Sequence, residues 1–243
     1  MEKIVKENAE KLGKMNYPGR VIITGLTPSN KKIVQIYCTM GRSESSQNRQ
    51  LIEKDKHIKT VPLNFSIEME NIELLIYDVA CQVGDSHIVS NGTQTSTIEE
   101  YILSGRSFEE AISTWKHEPD SPNFTSRISG IVELDKVNNK YIYKLNLIKA
   151  LPHDKKESEY HTYMYNSTEA GTAHCIHVYC DDNIDCLPYE GDPYLVPTFE
   201  TLEENADYYW NLMPIDKKIG MYIKMIDIST GETEDKIINK SNQ

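Results

Sequence analysis

Apolar runs of strand length, separated by short polar turns, recur along most of the chain. The first two runs, GRVIITGL and KIVQIYCTM, flank the segment TPSNKK, whose Pro, Ser and Asn residues suit a hairpin turn. The same pattern predicts three more strand pairs: IELLIYDVAC with SHIVSNG, RISGIVEL with YIYKLNLIKA, and MYIKMIDI with EDKIIN. AHCIHVYC is predicted as one further strand, whereas LIEKDKHIKTVP does not alternate and is not predicted as a strand.

Residues 95–115, TSTIEEYILSGRSFEEAISTW, form the clearest helical segment of the sequence. Ser96 with Glu99, and Ser107 with Glu110, have the spacing of a capping box, in which side chains satisfy free backbone N–H groups at a helix start. Gly105 lies between the two boxes, and glycine commonly ends a helix. The segment therefore predicts two short helices.

Three other segments complete the prediction of elements. Thr201 and Glu204 form a third capping box, which opens a helix with apolar residues at helical spacing: Leu202, Ala206, Tyr209 and Met213. Residues 2–14 are predicted to form a short charged helix or a loose extension. Four Pro and Gly residues between positions 188 and 197 predict that residues 182–199 form a long irregular loop.

Several antiparallel strand pairs interrupted by a few helices are typical of an α+β protein. We find no linker, repeat or low-complexity segment, and we therefore predict one domain over residues 1–243, with residues 1–15 as an N-terminal extension. Two packed sheets with helices outside them would bury this many strands.

Charge and cysteine content narrow the classes of partner. The formal net charge of −11 argues against a nucleic-acid partner, which needs a basic surface, and implies that any anionic ligand is bound by a local group of arginines. No apolar run approaches the length of about 20 residues that spans a bilayer, which predicts no membrane partner. The scattered, odd set of cysteines predicts a reduced, cytoplasmic protein: Cys38, Cys81, Cys175, Cys180 and Cys186.

The segment GRSESSQNR, residues 41–49, places many hydrogen-bond donors at the end of a predicted strand. One interpretation is a surface turn in which the serines and asparagine cap their own backbone. The other is an anion-binding corner, because the guanidinium groups of Arg42 and Arg49 could converge on a phosphate or carboxylate. The residues alone leave both interpretations open.

Two further segments have a structural and a functional interpretation. SNGTQTSTIEE, from Ser90, is a strand–turn–helix connection, and free N–H groups at the helix start could also bind an anion. In HEPDSPNFTSRIS, Glu118 and Asp120 precede the strand that carries Arg127. Loop carboxylates are usually solvated, but a carboxylate near an arginine also suits proton transfer.

The run His174, Cys175 and His177 does not predict a metal site. Side chains alternate between the two faces of a strand, so His174 and His177 should point in opposite directions. No closely spaced cysteine pair of the zinc-binding type occurs either. We therefore expect neither a metal nor an organic cofactor.

Four segments together resemble the archaeal-type IMP cyclohydrolase family: NYPGR, GRSESSQNR, VSNGTQT and NFTSRISG. The pairing of the second with the third is the specific part of the resemblance. It implies a four-layered αββα sandwich similar to the N-terminal nucleophile hydrolases, but without their N-terminal nucleophile. It also implies a homo-oligomer that converts formamidoimidazole carboxamide ribotide (FAICAR) to IMP with loss of water, as the last step of purine synthesis.

The resemblance also implies roles for particular residues. Arg42 would hold the reacting carbonyl or orient the carboxamide, and Tyr77 and Glu118 would handle protons. The remaining candidates would bind the base, ribose and phosphate of the ribotide: Arg20, Ser43, Asn48, Arg49, Ser90, Asn91, Gly92, Asn123 and Arg127.

Two differences from the archaeal enzymes affect the predicted substrate more than the predicted fold. The chain has an added N-terminal segment and the Pro-rich stretch of residues 182–199, and the loop EPDSPNFT, which carries Glu118, differs in length from that of the family. Two alternatives therefore stay open. One is a purine-ribotide-binding protein without turnover, and the other is an amide hydrolase of related fold with an internal, autoprocessed nucleophile.

Overall fold

Two antiparallel β-sheets make up most of the protein. The structure is a computed structural model and describes residues 1–69, 72–180 and 187–242. Sheet A has six strands, in spatial order β11 (Tyr194–Pro197), β10 (Thr172–His177), β1 (Arg20–Leu26), β2 (Lys32–Met40), β12 (Lys218–Asp227) and β13 (Thr233–Asn239). Sheet B has seven strands in chain order: β3 (Arg49–Lys54), β4 (His57–Pro62), β5 (Asp78–Val83), β6 (Ser86–Ser90), β7 (Arg127–Asp135), β8 (Lys140–Ala150) and β9 (Ser158–Tyr165).

The helices of the described residues are few and mostly short. They are α1 (Glu2–Lys14), α2 (Glu44–Gln47), α3 (Ile72–Leu75), α4 (Gln94–Leu103), α5 (Phe108–Ser113) and α6 (Leu202–Leu212), with a 3₁₀ turn at Lys240–Asn242. None of these helices is long and apolar enough to cross a membrane.

Helices α1 and α6 lie on sheet A, and helices α4 and α5 lie on sheet B. Asn8 of α1 donates a hydrogen bond of 2.9 Å to the carbonyl of Leu195 in β11, and Tyr209 of α6 donates to the carbonyl of Pro197. On sheet B, Phe108 and other apolar residues of α4 and α5 pack in one cluster with Ile131. Each helix pair thus covers the apolar surface of its own sheet.

The two sheets face each other across a shared apolar core. Gln35 of β2 donates to the backbone carbonyl of His87 in β6, and the side chain of Ile22 in β1 lies against Gly130 in β7. The result is a mixed α/β protein with two large antiparallel sheets and few helices, which is compatible with the predicted sandwich. Its relationship to the N-terminal nucleophile hydrolases stays a prediction.

Most of the predicted strand pairs are confirmed. Strands β1 and β2, β7 and β8, and β12 and β13 are antiparallel neighbours. The prediction for IELLIYDVAC is wrong in its first half, because Ile72–Leu75 forms α3 and the strand begins only at Asp78. A short apolar run does not by itself distinguish a helical turn from a strand.

The prediction that LIEKDKHIKTVP contains no strand is wrong. Strands β3 and β4 form an antiparallel hairpin there, and Asp55 and Lys56 make its turn with positive φ angles of 54° and 64°. Glycine or asparagine usually marks such a turn, so this hairpin lacks the expected signal. The loop predicted over residues 182–199 contains β11, while residues 182–186, including Cys186, lie outside the described residues.

The capping predictions succeed at two helices and fail at one. Ser107 and Glu110 cap α5, and Thr201 and Glu204 cap α6, as predicted. The box predicted at Ser96 is wrong, since α4 already begins at Gln94 and Ser96 lies in its first turn. Residues 2–14, predicted as a helix or a loose extension, form the helix α1.

Candidate active site

A cavity of about 370 Å³ lies where β1 begins, β2 ends and the segment before β7 folds back. This volume is in the range of small-ligand sites. Six of the predicted site residues line it: Arg20, Arg42, Ser43, Arg49, Glu118 and Asn123. These six residues come from three segments that are distant from one another in the sequence.

The floor of the cavity is built around the start of β1. Arg20 is 5% exposed, and its Nε has no hydrogen-bond partner among the described residues. Gly19 precedes it with φ of 82°, and a Cβ atom there would lie 2.6 Å from the ring of Tyr179. Tyr179 stacks on Tyr17 with 5.5 Å between ring centroids, and the guanidinium of Arg42 lies 4.8 Å from the centre of the Tyr17 ring.

Glu118 is the carboxyl group that faces this floor. It is 2% exposed, its Oε1 accepts no hydrogen bond from the described residues, and that atom lies 3.8 Å from an Nη of Arg127. Burial raises the pKa of Glu118 to about 7, although the positive charges of Arg20 and Arg127 oppose the shift. A carboxyl group with a pKa near neutrality can both accept and donate a proton.

A second carboxyl group of the same loop is held differently. Asp120 accepts hydrogen bonds from the backbone N–H of Thr125 at 2.7 Å and from its hydroxyl. The Thr125 hydroxyl in turn lies 2.7 Å from the hydroxyl of Tyr179, and the backbone N–H of Glu118 donates to the Thr125 carbonyl. These bonds close the loop and set the orientation of Glu118 and Tyr179.

Arg127 does not line the cavity but supports the wall behind Glu118. Its Nε donates to the Lys116 carbonyl at 3.0 Å, one Nη donates to Gln94 Oε1 at 2.9 Å, and the guanidinium lies over the ring of Trp115. A Cβ atom at Gly92 would lie 2.5 Å from that Nη, so only glycine admits Arg127 at this position.

The predicted residues Ser90 and Asn91 are also buried behind the cavity. The Asn91 side chain accepts from the backbone N–H of Ile128 at 2.8 Å and donates to the Ser126 carbonyl at 2.9 Å. The Ser90 hydroxyl bonds to Thr95 and to the Gly92 carbonyl. These bonds join the end of β6 to the start of β7.

Arg49 and Asn48 form a further corner at the end of helix α2. Arg49 donates from its three nitrogens to the backbone carbonyls of Ser46, Leu75 and Met40, at 2.7, 3.2 and 3.2 Å. The Asn48 side chain binds both the N–H and the carbonyl of Asn64 at 2.8 Å. Both side chains therefore hold the loops around the cavity, and only Arg49 also lines it.

Tyr77 lies next to the cavity rather than in its lining. Its hydroxyl is 2.8 Å from the hydroxyl of Tyr37 in β2, and both rings are buried. Burial raises the pKa of Tyr37, and the proximity of Tyr77 raises it further, so the Tyr37 hydroxyl stays protonated at neutral pH. The two hydroxyl groups link sheet A to sheet B.

The residues of the rejected metal interpretation have structural partners. His174 Nδ1 lies 2.6 Å from the hydroxyl of Tyr143 in sheet B, and His177 Nδ1 lies 2.7 Å from the Tyr179 carbonyl. Burial lowers the pKa of each histidine to about 4, so both are neutral at pH 7. Cys175 is fully buried on the same strand.

Comparison with known protein families places the chain in one of them. The model of the family described as IMP cyclohydrolase-like protein matches residues 17–232 of the chain, which includes every residue of the cavity. The chain belongs to this family. A search of curated proteins finds no match to it.

The family match begins at Tyr17, so helix α1 precedes the part of the chain that an IMP cyclohydrolase-like protein shares. Within that part, sequence reasoning did not single out Tyr179, Thr125 or Tyr37 as site residues. Tyr179 and Tyr37 lie in buried strand-like runs, where a tyrosine is normally a core residue. Only their partners in space distinguish them.

Proposed function

We propose that this IMP cyclohydrolase-like protein closes the ring of FAICAR to give IMP and water. The family membership supports a role in purine synthesis, and the cavity is of a size and charge that suit a purine ribotide. The observation that carries the proposal is the buried Glu118 carboxyl, with a pKa of about 7 and an Oε1 without a hydrogen-bond partner among the described residues.

The reaction needs positioning and proton transfer but no covalent intermediate with the protein. The carboxamide nitrogen of FAICAR attacks the formyl carbon and loses one proton, and the formyl oxygen becomes a hydroxyl group. That hydroxyl then leaves as water while the formamido nitrogen loses its proton, which gives the carbon–nitrogen double bond of the new six-membered ring. Holding both reacting groups of one molecule together supplies much of the rate.

Glu118 is the base that takes the carboxamide proton in this proposal. Its ionised form is needed for that step, and its protonated form then delivers the proton to the departing oxygen. Arg20 stands beside it with a partly unbonded guanidinium, so it would stabilise negative charge that develops on the formyl oxygen. The hydroxyl group of Tyr77, held by its hydrogen bond to Tyr37, assists proton transfer in this proposal.

The ribotide phosphate is assigned to the exposed rim of the cavity. Arg42 is exposed there and lies beside Ser43, Ser45 and Ser46, which also line the cavity. We place Arg42 at the phosphate rather than at the reacting carbonyl, because a buried arginine is available for the carbonyl and an exposed one suits a charged group close to water. The stacked ring of Tyr17 lies within reach of the same ligand.

The proposal extends to the architecture and assembly that the family resemblance implies. In N-terminal nucleophile hydrolases a Ser, Thr or Cys stands at the start of the first strand. Here Arg20 occupies the start of β1, which supports a related fold without that nucleophile. We also propose that the chain forms a homo-oligomer, which sedimentation velocity of the purified protein would test.

The decisive experiment follows the ultraviolet absorbance of FAICAR mixed with the purified protein, with the Glu118→Gln variant as the matched control. We expect IMP to form with the wild-type protein and about 10²–10⁴-fold more slowly with the variant. Tight binding of IMP by calorimetry without any turnover would show a ribotide-binding protein instead. Absence of both binding and turnover would reject the purine-ribotide proposal altogether.

A further inference from the structure

A group of metal-binding side chains lies on the outer face of sheet B, under helix α4. It contains His57 of β4, Cys81 of β5 and Glu99 of α4, and one ligand atom from each lies within 4.8 Å of the others. His57 Nε2 and Glu99 Oε1 are 2.9 Å apart. None of these residues lines the cavity described above.

A second layer of side chains orients the histidine. Asp78 Oδ2 lies 3.5 Å from His57 Nδ1, and Lys59 holds the other oxygen of Asp78 at 3.2 Å. A carboxylate at one ring nitrogen keeps the proton there and leaves the other nitrogen free to bind a metal. Asp78 therefore favours the tautomer that carries its proton on Nδ1. The metal-binding nitrogen is then Nε2, which lies 2.9 Å from Glu99 Oε1.

Two carboxylates lie beside the histidine and the thiol of this group. Glu99 and Asp78 each have an oxygen within 3.5 Å of a ring nitrogen of His57, and the ligand atoms of His57, Cys81 and Glu99 lie within 4.8 Å of one another. Lys59 forms an ion pair with Asp78 at 3.2 Å. A bound dication would compensate the negative charges and stabilise the thiolate.

We propose that His57, Cys81 and Glu99 bind one Zn²⁺ ion. One nitrogen, one sulfur and one carboxylate oxygen form a donor set that zinc accepts, and a water molecule completes a tetrahedral site. Zinc bonds of about 2.0–2.3 Å place neighbouring donor atoms roughly 3.4 Å apart. The 2.9 Å separation of His57 Nε2 and Glu99 Oε1 must therefore widen by about 0.5 Å, and a separation at the 4.8 Å limit must close by about 1.4 Å. Small rotations of the half-buried His57 and Glu99 side chains around the buried Cys81 can supply these shifts.

The ion would join α4 to two strands of sheet B. Helix α4 begins at Gln94, and Gln94 holds the guanidinium of Arg127 behind Glu118. The zinc site would therefore stabilise the packing of α4 on sheet B, and through α4 the residues that support the cavity. Nothing in the ring closure requires it to take part in the reaction.

Cobalt provides a direct probe of this donor set. We expect Co²⁺ added to metal-free full-length protein to give a thiolate-to-cobalt absorption band in the near ultraviolet, which added Zn²⁺ abolishes. The band should disappear in Cys81→Ser. In His57→Ala and in Glu99→Gln, the affinity for cobalt should fall at least tenfold. Cys180→Ser is the matched control and should keep the band.

Thermal unfolding gives an independent readout that does not depend on enzyme activity. At a Zn²⁺ concentration about a hundred times its dissociation constant, we expect Tm to rise by about 5–10 °C in the wild-type protein and by at most about half as much in Glu99→Gln, whose affinity is at least tenfold weaker. Circular dichroism checks that each variant is folded. A wild-type protein without the cobalt band, or a band that survives in folded Cys81→Ser, would overturn the proposal.

Discussion

Two buried arginines that line the same cavity differ in how their guanidinium groups are used. Arg49 donates from all three nitrogens to backbone carbonyls of the surrounding loops. Arg20 has a buried Nε without a partner among the described residues, and it faces Glu118, whose Oε1 also lacks one. Buried polar groups are normally bonded, so those that are not deserve a functional explanation.

Arg49 and its carbonyl partners therefore form a structural corner, whereas Arg20 and Glu118 together form what we call the reactive wall. At the Arg49 corner each of the three guanidinium nitrogens already donates one hydrogen bond to a backbone carbonyl. At the wall formed by Arg20 and Glu118, the protein keeps a charge and a proton-transfer group buried at a cost of stability. A substrate that fills the cavity can supply the missing partners.

The largest effect is expected at the wall, from Glu118→Gln. The amide keeps the shape of the side chain but cannot accept a proton, so kcat should fall by about 10²–10⁴-fold while the dissociation constant of IMP changes little. Stopped assays of IMP formation and calorimetry of IMP binding measure the two quantities. Equal losses in turnover and in affinity would assign Glu118 to binding.

The pH dependence of kcat/KM tests the same group without a mutation. Glu118 must be ionised to act as a base, and burial raises its pKa to about 7. The value of kcat/KM should therefore rise about tenfold per pH unit below pH 7 and become level above it. The substrate phosphate also titrates near pH 6, so the Glu118→Gln profile serves as the control and should lose the step near pH 7.

At the corner, the expected effect of Arg49→Met is on stability. The substitution removes three hydrogen bonds to backbone carbonyls, which corresponds to about 3 kcal/mol in the free energy of unfolding. For a chain of this size Tm should fall by about 6–12 °C. Differential scanning calorimetry measures this change, and an unchanged Tm would contradict the structural role of Arg49.

Arg20→Met is the matched variant on the wall, and the opposite result is expected. It removes a cation whose Nε has no partner among the described residues, so Tm should change little, while kcat should fall by about 10–100-fold because the charge that develops on the formyl oxygen loses its stabilising cation. Assays of IMP formation and differential scanning calorimetry measure the two quantities. A large loss of stability with a normal kcat would place Arg20 with Arg49.

Much of the fold follows from the sequence, because the hydrophobic runs of the central strands are long and their turns are marked. The hairpin of β3 and β4 was missed since its turn at Asp55 and Lys56 uses neither glycine nor asparagine. Strand β9 was missed too, as it lies at the edge of sheet B with alternating partly exposed positions. Edge strands need less apolar surface than central ones.

The site could be predicted only in outline. Clustered arginines in an acidic chain indicated an anion site, and six of the predicted residues line one cavity. The sequence could not distinguish Arg20 from Arg49, because the difference lies in which backbone carbonyls fold back onto each guanidinium. The same limit hid the zinc-binding group, whose residues come from two strands and a helix.

The smallest effect is expected behind the wall, from Tyr37→Phe. Tyr37 is not one of the residues that line the cavity, and it acts as a positioning residue by bonding to the Tyr77 hydroxyl at 2.8 Å. Loss of one such bond corresponds to about 1 kcal/mol, so kcat should fall about fivefold with KM unchanged. The decisive control is the same substitution in a Tyr77→Phe background, where it should no longer reduce kcat. A reduction that persists there would show that Tyr37 acts through packing between the sheets, and the hydroxyl pair would then belong with the structural corner.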